Sequence, residues 1–444
     1  MRIDRLQVEN FKGFDKREFN FHPQMNLICG VNGTGKTTIL DALAIAAGSW
    51  FLGLREESSA RHIRQHEVRI KELPQSEERN QVDGSLRIDL VEQFPCSVSA
   101  EGLVQGKVIQ WQRSLESKRS RTTTKQATQL MELSQDADVS VRDGRTLTLP
   151  LISYYGTGRL WEVPREQAHI KSQKQLGKRE NHSRFAGYKN SIEPRLSVAD
   201  LTRWIAEQNW SAFQAGGDPN GIYQVVKKAI LSCIEGATDL FYAPNRGEVI
   251  VEVEKQGRQP FNNLSDGQRC MLSLIGDLAH KAATLNPGLG EAALLETNGV
   301  VLIDELDLHL HPIWQRRVIE DLRRTFPNLQ FFATTHSPFL IQSLRSGEEL
   351  LMLDGAATAQ LANKTLEDIA QDIMGVPHSE VSQRYFEMKQ TARQYLERLQ
   401  SLDTSPDQKL KEFKAELAKA ISPFADNPAY QAFLEMKQAA KIGE

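Results

Sequence analysis

Only four cysteines occur among the 444 residues. Cys29, Cys96, Cys233 and Cys270 stand far apart, with no paired spacing. This excludes a disulfide framework and a zinc site built from cysteine pairs, and it points to a reducing compartment, the cytoplasm. No apolar run is long enough to span a bilayer, and Met1-Arg2-Ile3-Asp4-Arg5 enters an alternating strand directly, so no membrane association or signal peptide is expected. Neither sign of charge dominates. The net charge of −3 neither favours nor excludes nucleic acid, because charge can be local. With 40% hydrophobic and 25% charged residues, the chain has the composition of a globular protein with ample core and room for two or three domains.

What is present centres on Gly30-Val31-Asn32-Gly33-Thr34-Gly35-Lys36-Thr37, which fits the phosphate-loop pattern G-x-x-x-x-G-K-[ST]. Met25 to Cys29 reads as a buried strand before it, and Thr38 to Ala47 as a helix after it. Glycines let the backbone curl so that successive N–H groups face phosphate oxygens, and the helix N-terminus adds partial positive charge. Asn32, Gly33, Gly35, Lys36, Thr37 and Thr38 are therefore the candidate nucleotide-binding residues. Lys36 is placed to reach the β- and γ-phosphates, and Thr37 to give its hydroxyl to Mg²⁺.

Val300-Val301-Leu302-Ile303-Asp304-Glu305 is an apolar strand that ends in two carboxylates, the Walker B pattern. A strand apolar at every position is buried on both faces, as in a parallel sheet. Two acids at its end are costly unless they serve a cation. Asp304 is the expected Mg²⁺ holder through water, and Glu305 the residue that orients or deprotonates the attacking water. Asp307 stands in the D-loop place, and Pro312 fits the first turn of a helix. His309 and His311 lack further ligands at metal spacing. Leu329 to Thr334 reads as another buried strand, leading to His336 in Thr335-His336-Ser337-Pro338, the candidate switch histidine at the γ-phosphate. Asn263-Leu264-Ser265-Asp266-Gly267-Gln268-Arg269 is similar to the ABC signature, with Asp266 where transporters carry Gly. Ser265 as N-cap of a helix over Cys270 to Ala282 would present N–H groups to a γ-phosphate. In ABC-type ATPases this signature, Ser265 to Gln268 here, completes the site of the opposite protomer.

The remaining chain is less specific. Residues 2–29 read as three strands. Residues 52–84, with Arg61, Arg64, Arg69 and Lys71, read as a solvated helix and loop, and 85–115 as strands and turns. Lys118-Arg119-Ser120-Arg121 through Lys125 is a solvated loop or a phosphate-backbone contact. Leu149 to Tyr155 is a strand; resemblance to ABC-type heads implies a Mg²⁺-holding Gln near its end, for which Gln93 is one candidate, with Thr157 or Arg159 in its place as the other. Residues 159–189 carry eight Lys/Arg against three Glu, interleaved with Trp161, Phe185 and Tyr188, and read as a surface insertion or a nucleic-acid contact. Ser197 to Gly236 is helical, Val249 to Val253 is a strand, and 350–353 a last short strand. Beyond Thr365 the pattern is helical and charged, with a long amphipathic stretch from Glu380 to Leu402 and helices near 408–421 and in the tail, suited to packing or partner docking.

Asn10-Phe11-Lys12-Gly13-Phe14 resembles a segment that sits beside the nucleotide in the RecF/SMC branch of the ABC-type ATPases, which implies a nucleotide-side role for Lys12. The order of phosphate loop, LSDGQ, LIDELD and TTHSP resembles the ABC-type head across nearly the whole chain. The fold class expected is therefore α/β: an ABC-type P-loop ATPase head with a β-rich side lobe, helical insertions and a C-terminal helical segment. Its parts are expected at 1–51, 52–148, 149–260, 261–355 and 356–444. The stretches 151–161, 183–194, 264–287, 301–315 and 426–437 more closely resemble the ATPase subunit of the Septu anti-phage defence systems, also found beside some retrons. That resemblance implies ATP and Mg²⁺ as cofactors, a homodimer of heads or a higher homo-oligomer, a separate HNH nuclease subunit, and DNA as target. The chain has no HNH cluster and no Toprim-type acidic cluster after residue 350, so it is not expected to cut DNA alone. A RecF-like DNA-repair ATPase is the alternative. A transporter's nucleotide-binding subunit fits less well, given the polar insertions at 52–84 and 116–195.

Overall fold

The computed structural model describes residues 1–55, 60–73, 89–158, 183–192, 198–215, 221–353, 364–376 and 382–401. They fall into two compact units, Met1–Lys364 and Thr365–Glu444.

The first unit opens with β1 (Arg2–Phe11) and β2 (Phe14–Asn20), paired antiparallel, and β3 (Met25–Cys29) follows. Ile3, Leu6 and Val8 of β1 are buried, the alternation that leaves one face of a sheet outward. A ribbon of β4 (Ile70–Leu73) and β5 (Asp89–Glu92) comes next, then the hairpin β6 (Cys96–Val104) and β7 (Lys107–Leu115). Gln105 and Gly106 turn that hairpin, both at positive φ, as a two-residue turn requires. Strand β6 pairs with β1, giving the antiparallel sheet β2-β1-β6-β7. This antiparallel β-lobe takes β6 and β7 from the 52–148 stretch but β1 and β2 from 1–51.

β8 (Leu151–Tyr155) joins a different sheet, and β9 (Ala237–Ala243), β10 (Glu248–Val253) and β11 (Gly257–Pro260) form a small antiparallel one. β12 (Gly299–Ile303), β13 (Leu329–Thr334) and β14 (Leu350–Met352) complete a five-stranded parallel sheet in the order β14-β3-β13-β12-β8. Every residue of β3, β8, β12 and β13 is buried. Their apolar runs are thus the signature of a sheet covered on both faces. Because all five strands run the same way, the segments that follow β3, β8, β12 and β13 emerge along one edge.

The two large sheets are joined by Gln330 of β13, which is 1% exposed. Its Oε1 accepts from the Ile3 N–H at 2.8 Å, and its Nε2 donates to the Ile3 carbonyl at 2.7 Å and to that of His22 at 3.0 Å. Helix α1 (Lys36–Gly48) is buried along most of its length, and the Trp111 indole of β7 donates to its Ala46 carbonyl at 3.0 Å.

Several regions differ from the sequence expectation. Helix α2 (Thr128–Arg142) lies inside the stretch expected as a polar insertion. Arg61 and Glu67, expected on a solvated segment, sit in a buried ion cluster: Glu67 is 1% exposed. The loop after β7 is tied to that segment, since the Ile63 N–H donates to Thr122 Oγ1 at 3.1 Å and the hydroxyl donates back at 3.2 Å. The exposed Arg64 and Arg121 flank this joint, and the exposed Lys118 and Arg119 lie just before it in the chain, Lys118 3.6 Å from Glu92. Phe185 and Tyr188 are core residues, with the Tyr188 hydroxyl between Trp50 Nε1 and the Pro150 carbonyl. Arg184 donates to the Leu285 and Leu147 carbonyls. The 159–182 part of the basic stretch, Arg159 included, lies outside the described residues.

Helix α3 (Val198–Ala215) and helix α4 (Gly221–Cys233) pack on α5 (Asp266–Leu285), where a Cβ at Gly276 would meet Leu201 at 2.5 Å and Ile230 at 3.2 Å. Helix α5 in turn holds β8: the Tyr155 hydroxyl donates to Asp277 at 2.6 Å, and Lys281 reaches Asp277 at 2.8 Å and Ser153 at 2.9 Å. All four cysteines are buried and none is in a disulfide. Burial pushes the Cys96 thiol up to about 12 and raises that of Cys233, so both are kept protonated and inert.

In the second unit, a short turn at Leu366–Asp368 is capped by Thr365, and α6 (Gln383–Ser401) occupies the long amphipathic stretch. The expected helices near 408–421 and in the tail lie outside the described residues.

Candidate nucleotide-binding site

β3 delivers the chain into the phosphate loop at the common edge of the parallel sheet. Gly33 and Gly35 take φ of +87° and +101°, the left-handed region that favours glycine. A Cβ at Gly35 would lie 2.6 Å from the Phe14 ring, so β2 closes the loop from one side. Gly35 is also the N-cap of α1, with no side-chain cap and no acid in the first turn. The first N–H groups of α1 and its partial positive charge therefore face the loop, which suits an anion. Lys36 is 8% exposed and its Nζ donates to the Gly30 carbonyl at 2.7 Å and that of Val31 at 3.2 Å, across the mouth of the loop. Val31, Asn32 and Gly33 form the exposed crest, and Thr38 follows Thr37 into the helix.

The metal-side residues come together from distant parts of the chain. The Thr37 hydroxyl donates to Asp304 at 3.1 Å, and Asp304 is 7% exposed. A hydroxyl and a carboxylate side by side at a phosphate-binding helix end fit a hard divalent cation that keeps waters and phosphate oxygens as its other ligands. Among the described residues, no group of three or more His, Cys, Asp and Glu is placed to hold a metal. His311 serves instead as the N-cap of Pro312–Gln315, its Nδ1 accepting from Ile313.

Beyond Asp304 the chain turns sharply. Glu305 has φ +49° and is half-buried, and the Asp304 N–H donates to the Tyr155 carbonyl of β8 at 2.7 Å. That bond puts Gly156 and Thr157 beside the acids, the place where the sequence pattern lacks its Gln. Gln93 instead bonds locally, to the Val91 carbonyl at 3.0 Å. Asp307 accepts from the Thr335 hydroxyl at 2.6 Å and from the His336 N–H at 3.3 Å, which binds the D-loop to the switch segment. His336 itself is exposed.

Lys12 has φ +50° and its ammonium pairs with Asp41 of α1, and lies 3.8 Å from Glu67. Arg61 also pairs with Asp41 and reaches Glu67 at 2.8 Å. Two cations and two acids thus brace the flank of the phosphate-loop helix. Burial alone would raise the Asp41 carboxyl, but Arg61 and then Lys12 outweigh it and hold the carboxyl below its ordinary 3.8. Asp41, Glu67 and Arg61 carry no motif; the signal for them was only that short, charged segments flank the loop.

The signature forms a self-contained cap. Ser265 caps α5: Gln268 N–H donates to Ser265 Oγ at 3.3 Å, and the Ser265 N–H donates to Gln268 Oε1 at 3.0 Å. The helix starts at Asp266, four residues before the expected Cys270. Asp266 pairs with Arg269. Gly267 is required by packing, because a Cβ there would meet the His309 carbonyl at 2.9 Å and the Trp314 ring at 3.2 Å. Ser265 and Asp266 are exposed, so the cap presents outward.

Comparison with known proteins agrees with this geometry. An AAA domain matches residues 5–209, and an AAA ATPase domain matches residues 167–341. The chain is similar to the Retron Vc95 probable ATPase of Vibrio cholerae, at 25% identity over 78% of this chain and 72% of that one. It is similar to the Septu protein PtuA of Bacillus thuringiensis, at 24% identity over 84% of each chain. The SMC head domain of Thermotoga maritima aligns with a TM-score of 0.39 and 15% identity, over 79% of this chain and 94% of that chain. A parallel sheet gathers a phosphate loop and two Walker acids at one edge, and an AAA domain and an AAA ATPase domain match across both halves of that sheet; the chain is an ATPase with the α/β fold of an ABC-type head.

Proposed function

We propose that this ATPase is the nucleotide-driven subunit of an anti-phage defence complex, and that it regulates or scaffolds a separate HNH nuclease that cleaves DNA. The observation that carries this reading is similarity to Septu and retron ATPases along about four fifths of the chain, far beyond the nucleotide motifs. ATP with Mg²⁺ is bound by Asn32, Gly33, Gly35, Lys36, Thr37 and Thr38, with Asp304 on the metal side. Glu305 is the base and His336 the γ-phosphate sensor. Ser265, Asp266, Gly267 and Gln268 come from a second copy, so two heads close over the nucleotide; their outward-facing cap supports this. Lys12 and Asp307 support the pocket from the flank and the D-loop. The exposed Arg64, Lys118, Arg119 and Arg121 support contact with a nucleic-acid backbone.

A RecF-like repair role has one observation in its favour. RecF of Lactococcus lactis is 34% identical, but over 47 residues, 11% of this chain. So short a match carries no shared task.

The test is to co-express the chain with its immediate gene neighbours, purify on a tag carried by this chain, and assay DNA cleavage with and without ATP. Expected is a co-purifying nuclease whose cutting changes with ATP. An ATPase that purifies alone, binds DNA and supports no cleavage would overturn the defence reading in favour of repair.

A further inference from the structure

Strand β13 ends on Thr334, a residue 1% exposed, after the apolar Phe331, Phe332 and Ala333. A hydroxyl at such a place needs partners. Its two partners are the two Walker acids. Thr334 Oγ1 donates to Asp304 Oδ1 at 2.6 Å and accepts from the Glu305 N–H at 2.7 Å. Glu305 sits at φ +49°, a conformation uncommon for a residue other than glycine and one that surrounding bonds must hold.

We propose that Thr334 is a positioning residue for ATP hydrolysis: its single hydroxyl fixes the direction of both the metal-side acid and the base. The proposal rests on the reading of Glu305 as base. Accepting from the Glu305 N–H locks the left-handed turn, and the turn decides where the Glu305 carboxylate points. Donating to Oδ1 of Asp304 orients that carboxylate while Oδ2 faces the Thr37 hydroxyl at 3.1 Å. The next residue repeats the device, since the Thr335 hydroxyl holds Asp307 at 2.6 Å. Adjacent threonines thus tie the Walker acids and the D-loop to the strand that carries His336. A valine at 334 would fill nearly the same volume, remove one acceptor from Glu305 and remove one donor from Asp304.

The test compares full-length Thr334→Val, Thr334→Ser and Glu305→Gln with the parent for kcat, KM for ATP, affinity for a fluorescent ATP analogue with Mg²⁺, and thermal melting. Loss of an outer partner of this kind lowers turnover about 10- to 100-fold, and nucleotide affinity and KM should stay within about two-fold. Thr334→Ser keeps the hydroxyl and should rescue turnover to within about three-fold of the parent. If Thr334→Val does not fold, Thr334→Ala against Thr334→Ser gives the same contrast. Full turnover in Thr334→Val while Glu305→Gln is inactive overturns the positioning role and leaves Glu305 as base. Equal losses in the Ser and Val variants reduce Thr334 to packing and also overturn it. Parental turnover in Glu305→Gln removes the base assignment itself, and the proposal with it.

Discussion

Glu305 occupies a left-handed turn directly after a fully buried strand, and its amide is held by the end of the neighbouring strand. Glutamine has the same shape and keeps those backbone bonds but cannot take a proton. Glu305→Gln should therefore still bind ATP and hold the two-copy form, with turnover reduced by about 100-fold or more. Size-exclusion chromatography with light scattering, with and without ATP, checks this; a variant that hydrolyses like the parent and shows no ATP-dependent dimer would remove Glu305 from its role. At this scale the sequence is unusually informative. Gly33 and Gly35 are legible because only glycine tolerates their φ without strain, and Asp304 because acids at the end of an apolar strand need a cation. Thr334 was not legible: a threonine in a strand is ordinary, and only its distances to two acids 29 and 30 residues away mark it.

Among the elements, the flank of α1 is braced by the cluster of Lys12, Arg61, Asp41 and Glu67. Its pH behaviour follows from Asp41, whose carboxyl titrates below 3.8 when folded because Arg61 and Lys12 outweigh the effect of burial. A depressed folded value means that the stabilisation is complete above the unfolded value and is lost as pH falls through the folded one. Chemical denaturation of the parent against Asp41→Asn should thus show the variant less stable at pH 7, by about 3 kcal/mol for a broken buried pair, and the gap should close below about pH 4. A gap that stays constant with pH would assign the loss to packing. This cluster was hidden in the sequence because its members come from three separate segments and carry no periodic pattern. The start of α5 was misread for the opposite reason. Its first turn, Asp266 to Arg269, is polar and shows no apolar stripe, although the Ser265–Gln268 reciprocal cap was readable in the spacing. Phe185 and Tyr188 were ambiguous because their 3₁₀ turn, Arg184–Tyr188, is too short to reveal which face is buried.

On the scale of the molecule, the phosphate loop and the signature carry different halves of the proposed chemistry, and the signature's own hydrogen bonds run among Ser265, Gln268, Asp266 and Arg269. If two copies share each site, damage to the halves should complement. Lys36→Ala and Ser265→Arg variants, each inactive alone, should on mixing form heterodimers with one intact site, and recover up to about a quarter of parental turnover at equal concentrations if sites act independently. No recovery, with mixed dimers detected, would place both halves of the site within one chain. The overall architecture was legible in the sequence because a parallel sheet is buried on both faces and its strands are mostly apolar, as β12 is throughout and β3 and β13 are apart from Asn26, Gln330 and Thr334. The β-lobe pairing was less so, since β1 and β6 meet across almost a hundred residues.

Gln330 has a wider consequence. Its amide meets Ile3 with one donor and one acceptor, as a peptide unit of an adjacent strand would, so the nucleotide sheet and the β-lobe are hydrogen-bonded to each other at this point. The lobe is thus keyed to the strand that leads into the switch segment, with one residue pair fixing where the two sheets meet.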